Sequence, residues 1–206
     1  MILCVYALAS RAPLRIGVRG AAGERLHAIR LSGLSAIVGD VTRAPAPTAR
    51  NLKRHAAVIE ALARSVDAIL PTRFATCVAG EAQLAAAVRS RAPMLKARLR
   101  AVRRRAQMTI RLVAPPVKAQ RPTSGAEYLR QRRVAAPAFE PIGAAVAKYI
   151  KESRTERNGD VVTINHLIPR AATERYRAAL ERAAAENHVR LMLSGPWPPF
   201  AFADNW

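Results

Sequence analysis

The sequence predicts an α+β protein of two small domains, residues 1–105 and 106–206. Three observations carry that reading. Strand-like and helix-like patterns alternate through two successive series along the 206 residues. Half of the residues are hydrophobic, enough to build two cores. The chain then ends in SGPWPPFAFADNW, which holds two Trp and two Phe in its last ten positions, although aromatics make up only 5% of the whole.

In the first series, MILCVYAL is an apolar run of strand length, expected to be buried on both faces. LHAIRL and LSAIVGDV flank Ser32-Gly33, a spacing that suits a two-residue hairpin turn. APAPTARN leads into a helix capped near Thr48, where Leu52, Ala56, Ile59, Ala63 and Val66 recur at helical spacing. DAILPTRFATCVA returns as extended chain, interrupted by Pro71. GEAQLAAAVRSRA and PMLKARLRAVRRR read as two helices broken at Pro93, a residue acceptable in a helix's first turn.

The second series opens with QMTIRLV, a strand with Met108, Ile110 and Leu112 on one face. APPVKAQRP is a loop, and TSGAEYLRQRRVAAPAFEPIGAAVAK is helical on both sides of a break at Pro137 to Pro141. YIKESRTE and VVTINHLI flank Arg157-Asn158-Gly159, and Asn-Gly is a strong hairpin signal. PRAATERYRAALERAAAENH is a helix with Ala172, Tyr176, Leu180 and Ala183 on one face and possible pairing of Glu174, Arg177 and Glu181 on the other. VRLMLS closes the series, alternating at Val189, Leu191 and Leu193. Strand, helix, strand, strand, helix, strand is the βαββαβ order of a ferredoxin-like domain.

The tail, residues 195–206, follows that last strand. Gly195 and Pro196 are expected to stop the strand, and Pro198-Pro199 to hold the chain extended. Such aromatic density is foreign to a disordered end. The segment either packs back on the protein or is offered to a partner. Packing back is the stronger expectation, with Trp197 largely buried and Phe200 and Phe202 following it.

Charge is the compositional outlier. Against 14 acidic residues stand 34 basic ones, a net charge of +20. No acidic residue lies between Glu81 and Glu127, while arginines and lysines recur there, including Arg103, Arg104 and Arg105. Such a field favours an anionic partner, whether nucleic acid, membrane surface or acidic protein. The plainer reading is a set of solvated helix faces whose arginine stems cover apolar surface. Arg103, Arg104 and Arg105 are expected at the surface, as candidate partner contacts.

Catalytic and metal-binding patterns are missing. His27, His55, His166 and His188 stand apart from one another and from cysteines or carboxylates at ligand spacing. Cys4 and Cys77 sit in apolar runs and read as small buried core residues, with no disulfide framework suggested. VRGAAGE has neither Walker nor dinucleotide spacing. No stretch has the length of a membrane span. A soluble, intracellular, non-enzymatic protein without cofactors is expected. Nucleic-acid binding is the runner-up function, because a basic ferredoxin-like domain invites it. The strands QMTIRLV, VVTINHLI and VRLMLS carry no aromatic on which a base would stack, which leaves that reading only nonspecific phosphate attraction.

Three stretches add a resemblance. NLKRHAAVIEALARSVDAILPTRFATCV holds Leu70, Pro71, Arg73 and Phe74; INHLIPRAATERYRAAL holds Pro169 and Arg170; LMLSGPWPPFAF holds Gly195, Pro196, Trp197, Pro198, Pro199 and Phe200. Together with the opening MILCVYAL, they resemble the gas vesicle accessory proteins of the GvpL/GvpF family, with its LPxRFGT, AYLVPR and TGPWPPYSF patterns. Ala75 stands where the family has glycine, and Asn165-His166 replaces a small and aromatic pair. The resemblance implies a second α+β domain closed by the Pro/aromatic motif, these motif residues being structural. It also implies a cytoplasmic or gas vesicle location and no catalysis. The implied partners are the small hydrophobic shell protein and other gas vesicle accessory proteins, with no membrane. The strong basicity lies outside what the resemblance implies.

Overall fold

In the computed structural model, which describes residues 1–113, 140–158 and 161–203, the chain divides into two units. One is Met1–Arg105 with Trp197–Trp206, and the other is Ala106–Pro196. Of the tail expected with the second domain, the described residues Trp197–Ala203 therefore group with the first.

The first unit is built around β1 (Ile2–Ala9), in which every residue from Leu3 to Ala9 is buried. A strand buried on both faces needs hydrogen-bond partners on both edges. On one edge lies β3 (Leu34–Val41), antiparallel from Ile2↔Val41 to Ala9↔Ser35, with a bulge between Val5 and Ala7. On the other lie β4 (Ile69–Pro71) and β5 (Cys77–Val78), both antiparallel to β1. The outer strand β2 (Leu26–Leu31) pairs with β3 through the expected hairpin. Ser32 and Gly33 both have positive φ, 50° and 79°, which suits the twist of a two-residue turn.

Thr48 caps α1 (Ala49–Ser65) as expected, its hydroxyl accepting the Asn51 N–H at 3.2 Å. The buried face is rotated from the expected one. It holds His55, Val58, Ile59, Leu62 and Ala63, whereas Leu52 is exposed. His55 turns inward because its ring meets Tyr6 and the Thr72 carbonyl.

The expected break at Pro93 is absent: α2 is one helix, Glu81–Val102. Pro93 faces solvent, while Leu84, Val88, Leu95, Leu99 and Val102 continue one buried row across it. Packing on both sides of the proline outweighs its missing N–H, a loss of about 3 kcal/mol in a helix interior. α1 meets β1 and β4, and α2 meets β2, β4 and β5. Another correction concerns the cysteines. Cys4 and Cys77 are directly opposed across β1 and β5 and form a disulfide over a separation of 73 residues. They are joined partners rather than separate core thiols.

The second unit has a four-stranded sheet in the order β7-β8-β6-β9. Its elements are β6 (Arg105–Val113), α3 (Glu140–Val146), β7 (Glu152–Asn158), β8 (Val161–Pro169), α4 (Thr173–Glu186) and β9 (Leu191–Trp197). β7 and β8 form the expected hairpin, in register from Glu152↔Leu167 to Asn158↔Val161. Gly159 of the expected turn lies outside the described residues, as do the expected loop after β6 and most of the following helical stretch. Met108 and Ile110 pack with Ile142, Val146, Ile164, Tyr176 and Leu180, and Leu112 lies half-buried against them. Tyr176, Leu180 and Ala183 form the expected inner face of α4.

Gly195 and Pro196 do not stop β9, which runs on to Trp197 through a cis Gly195–Pro196 bond. β9 ends the strand order, and an edge strand tolerates a residue without an N–H. The chain then curls instead of staying extended. The Phe200 N–H reaches the Pro198 carbonyl at 2.7 Å and the Phe202 N–H reaches that of Pro199 at 3.1 Å. This short 3-10 turn, Phe200–Phe202, lies against β4. The curl buries Phe202 completely and leaves Trp197 39% and Phe200 41% exposed. The expectation of a buried Trp197 is thus overturned, and Phe202 is the anchor.

Phe202→Ala is accordingly expected to cost about 3–5 kcal/mol in denaturant unfolding, and Trp197→Ala about 1–2 kcal/mol. Equal losses for the two variants would show that Trp197 shares the anchoring.

Candidate functional site

The segment from Leu70 to Cys77 closes the open edge of β1. Leu70 and Pro71 are buried in β4. The Thr72 N–H donates to the Tyr6 carbonyl at 2.9 Å, and its hydroxyl lies between the Val5 and Tyr6 carbonyls, at 2.5 and 3.0 Å. Val5 then donates to the Thr76 carbonyl at 2.8 Å, so pairing resumes after a short excursion. In that excursion Arg73 is exposed, its carbonyl accepting the Thr76 N–H and hydroxyl. Phe74 is half-buried, edge-on to His55 with ring centres 5.6 Å apart. Ala75 has φ 59°, in the left-handed region.

A polar chain that runs from the buried Tyr6 to the half-buried Glu24 backs this edge. The Tyr6 hydroxyl donates to Glu24 at 2.5 Å and accepts the Ala21 N–H at 2.6 Å. The second Glu24 oxygen accepts the Ala22 N–H at 2.9 Å. A Cβ at Gly20 would overlap the Glu24 carboxylate and the Tyr6 hydroxyl. The first glycine of VRGAAGE, Gly20, therefore serves a close approach within the chain. Burial pushes the Tyr6 hydroxyl pKa up, and the Glu24 hydrogen bond adds to it. Burial likewise pushes His55 down.

The basic stretch divides. Arg103 and Arg104 are exposed, as expected, and both reach Asp67, at 3.5 and 3.2 Å. The Arg104 N–H also bonds the Asp67 carbonyl at 2.7 Å. Arg104 first, and Arg103 with it, hold the Asp67 carboxyl below its usual range. Arg105, at the start of β6, is half-buried rather than fully exposed. Of the three arginines expected at the surface, two are thus exposed and pair with Asp67, and one is half-buried at the base of a strand.

In the second unit, Pro169 ends β8 and Arg170 opens a short turn, its carbonyl accepting the Thr173 hydroxyl at 2.8 Å. Arg177 donates to the Gly195 carbonyl at 2.9 Å, which ties α4 to the beginning of the Gly-Pro-Trp-Pro-Pro stretch. Sequence spacing had offered Arg177 to neighbouring glutamates, and gave no sign of this contact across the fold. Among the described residues, no three His, Cys, Asp or Glu side chains gather as metal ligands. No described helix is long and apolar enough to cross a membrane.

The profile of the "Gas vesicle synthesis protein GvpL/GvpF" family matches residues 3–138 and 126–204. The chain belongs to the GvpL/GvpF family. No curated protein matches it. Among solved structures, it is similar to the gas vesicle protein GvpF from Microcystis aeruginosa, with a TM-score of 0.82 at 13% identity, covering 98% of this chain and 99% of that one. It is similar also to GvpF from Anabaena sp. PCC7120, again with TM-score 0.82 and 13% identity, over 100% of this chain and 97% of the other. At that identity the likeness speaks to the mixed α/β fold with two antiparallel sheets, which these structures share.

This GvpL/GvpF member departs from the family's motif patterns at positions whose surroundings explain the consequences. Ala75 occupies a left-handed position, where glycine is free of the Cβ clash. Asn165 accepts hydrogen bonds from Gln107 at 3.0 Å and Thr109 at 2.8 Å, a buried polar group on the sheet face opposite Met108 and Ile110. His166 lies on the other face, its Nδ1 2.7 Å from the Tyr176 hydroxyl. Burial pushes His166 down to about 4 and the Tyr176 hydroxyl up.

Two outcomes follow for stability. Ala75→Gly is expected to raise it by about 0.5–1 kcal/mol, since relief of about 1–2 kcal/mol of left-handed strain exceeds the added freedom of the unfolded chain. Denaturant midpoints measure this, and a lowered midpoint contradicts it. The buried His166 binds a proton less readily folded than unfolded, so acid favours the unfolded chain. Stability should be fully present above about pH 6.5 and fall as pH drops toward about 4, by up to about 3 kcal/mol. His55 acts in the same direction. Melting temperatures across that window check it, with His166→Phe flattening the slope.

Proposed function

We propose that this chain is a non-enzymatic accessory protein of gas vesicle assembly that binds the hydrophobic shell protein. The observation that carries the reading is the family match over residues 3–138 and 126–204. The half-exposed aromatics give it a physical basis. Trp197 and Phe200 stand on a segment stiffened by Pro196, Pro198 and Pro199 and anchored by Phe202. Aromatic side chains held rigidly at a surface lose little entropy on binding and often dominate interface energy. The shell protein is the partner assigned to them, and other gas vesicle accessory proteins are further partners. The location is the cytoplasm, at the growing vesicle.

The finer architecture belongs to this proposal. The second unit is read as ferredoxin-like, meeting the first domain at Arg105-Ala106. The order β7-β8-β6-β9, with α4 between β8 and β9, supports it. The tail is read as packed back through Phe202 and displayed through Trp197 and Phe200. Gly195, Pro196, Trp197, Pro198, Pro199 and Phe200 then carry a mixed role. Leu70, Pro71, Arg73, Phe74, Pro169 and Arg170 remain structural in this reading.

Nucleic-acid binding is the second reading, favoured by the net charge of +20. It predicts affinity for any duplex that falls steeply with salt.

Co-expression with the shell protein tests the first reading. Shell protein is expected to co-purify with the wild type. Trp197→Ala combined with Phe200→Ala is expected to reduce recovery at least about tenfold, as for two interface aromatics worth about 1–2 kcal/mol each. Failure of the wild type to retain shell protein, with nucleic acid recovered in its place, would overturn the proposal.

A further inference from the structure

One line of residues on α2 lies outside the buried face that holds the helix to its unit. Ala82, Ala86, Arg89, Pro93, Lys96 and Arg100 are spaced alternately four and three apart, and every one is exposed. That spacing keeps side chains in a single row along a helix, the geometry by which helices pack side by side. The row is separate from the buried one formed by Leu84, Val88, Leu95 and Leu99. Its first part is alanine and its second part is cationic. From Arg89 to Arg100 the cations extend about 16 Å at about 1.5 Å per residue.

These cations are not neutralised within the described residues. Arg103 and Arg104 have Asp67, but Arg89, Lys96 and Arg100 have no ion pair there. Glu81 is the only carboxylate on the helix. Lys96 lies over the β2–β3 turn, its ammonium 3.4 Å from where a Cβ on Gly33 would stand. Resting against the hairpin limits the positions open to its long side chain.

We propose that this row docks an acidic α-helix of a partner protein, with carboxylates recurring at the same alternating spacing. Opposite charge in a matching periodicity orients the two helices and speeds their encounter. Ala82 and Ala86 are small enough for the axes to approach to about 8–10 Å. Single-stranded nucleic acid fits this row less well, because α2 has no aromatic on which a base could stack; a duplex, bound through its phosphates alone, is the competing occupant that the experiment below measures directly. The inference does not depend on the shell-protein reading, since it concerns another surface and another chemistry.

The experiment uses the full chain and a synthetic alanine-based helix with glutamates along one four-three row. A scrambled peptide of equal composition and a duplex DNA of arbitrary sequence are compared with it by fluorescence anisotropy at low salt. The patterned peptide is expected to bind at least about tenfold tighter than the scrambled one, the scale of several partly solvated ion pairs acting together. Arg89→Gln, Lys96→Gln and Arg100→Gln combined should weaken it about tenfold. The control Arg50→Gln, Lys53→Gln and Arg54→Gln, which removes the same charge from exposed positions of α1, should leave binding nearly unchanged. Melting curves establish that both variants fold. Equal binding of the two peptides, equal losses in the two variants, preference for duplex DNA, or no binding would each overturn the proposal.

Discussion

The backbone of β1 sets the terms for the first unit. Its residues are buried on both faces, so neither edge of the strand can be satisfied by water. β3, which arrives as the second strand of the β2–β3 hairpin, supplies one edge, but the other must be brought back from sixty or more residues away. Pro71 reaches that edge without an N–H to donate, and Thr72 follows it with both a backbone N–H and a hydroxyl. The left-handed Ala75 then turns the chain so that Thr76 and Cys77 meet β1 again. The bulge at Tyr6 has its own consequence. Its phenol finds Glu24, and Glu24 in turn requires bare backbone at Gly20 and Gly39, where a Cβ would strike it. Residues far apart in the chain are chosen for the needs of one strand.

The second unit depends on polar groups placed on opposite faces of its sheet. Asn165 and His166 are neighbours, and alternation sends them to different sides. Asn165 meets Gln107 and Thr109, while His166 meets Tyr176. A slip of one residue would put Asn165 among Met108 and Ile110 and strand both sets of partners. Buried hydrogen bonds add little net stability each, but leaving their groups unmade costs about 1–3 kcal/mol apiece. They penalise the wrong register more than they reward the right one. The same burial makes His166 and Tyr176 reluctant to ionise, which marks them as parts of the core.

What was legible in the sequence was local. Thr48 caps its helix through a side chain three residues from its donor, and Ser32-Gly33 makes its turn within a hairpin. The apolar alternation of β6 and the inner face of α4 are likewise properties of short windows. Outside the tail, the departures are long-range. Cys4 meets Cys77 only because β5 falls into register on β1. Pro93 does not break α2 because one buried row passes beneath it, and local propensity has no view of that row. His55 displaces Leu52 from the inner face of α1 for the sake of Tyr6 and Thr72. As for the surface, counting arginines located the basic stretch, but only the fold separates those that hold Asp67 from those left facing solvent.

The tail shows how two demands are met by one short segment. An aromatic at the surface is useful to a partner only if the chain beneath it is fixed, and a terminus is ordinarily free to fray. Prolines remove much of that freedom in advance, and the buried Phe202 anchors the remainder against β4. Trp197 and Phe200 can then stay half-exposed without dragging the segment inward, since another side chain already supplies the apolar burial. Exposed aromatics bring a risk of copies adhering to one another. A net charge of +20 opposes it, because every copy repels every other. Repulsion of that kind does not extend to an apolar or acidic partner. Basicity and exposed aromatics are therefore compatible features, since the first keeps identical chains apart despite the second.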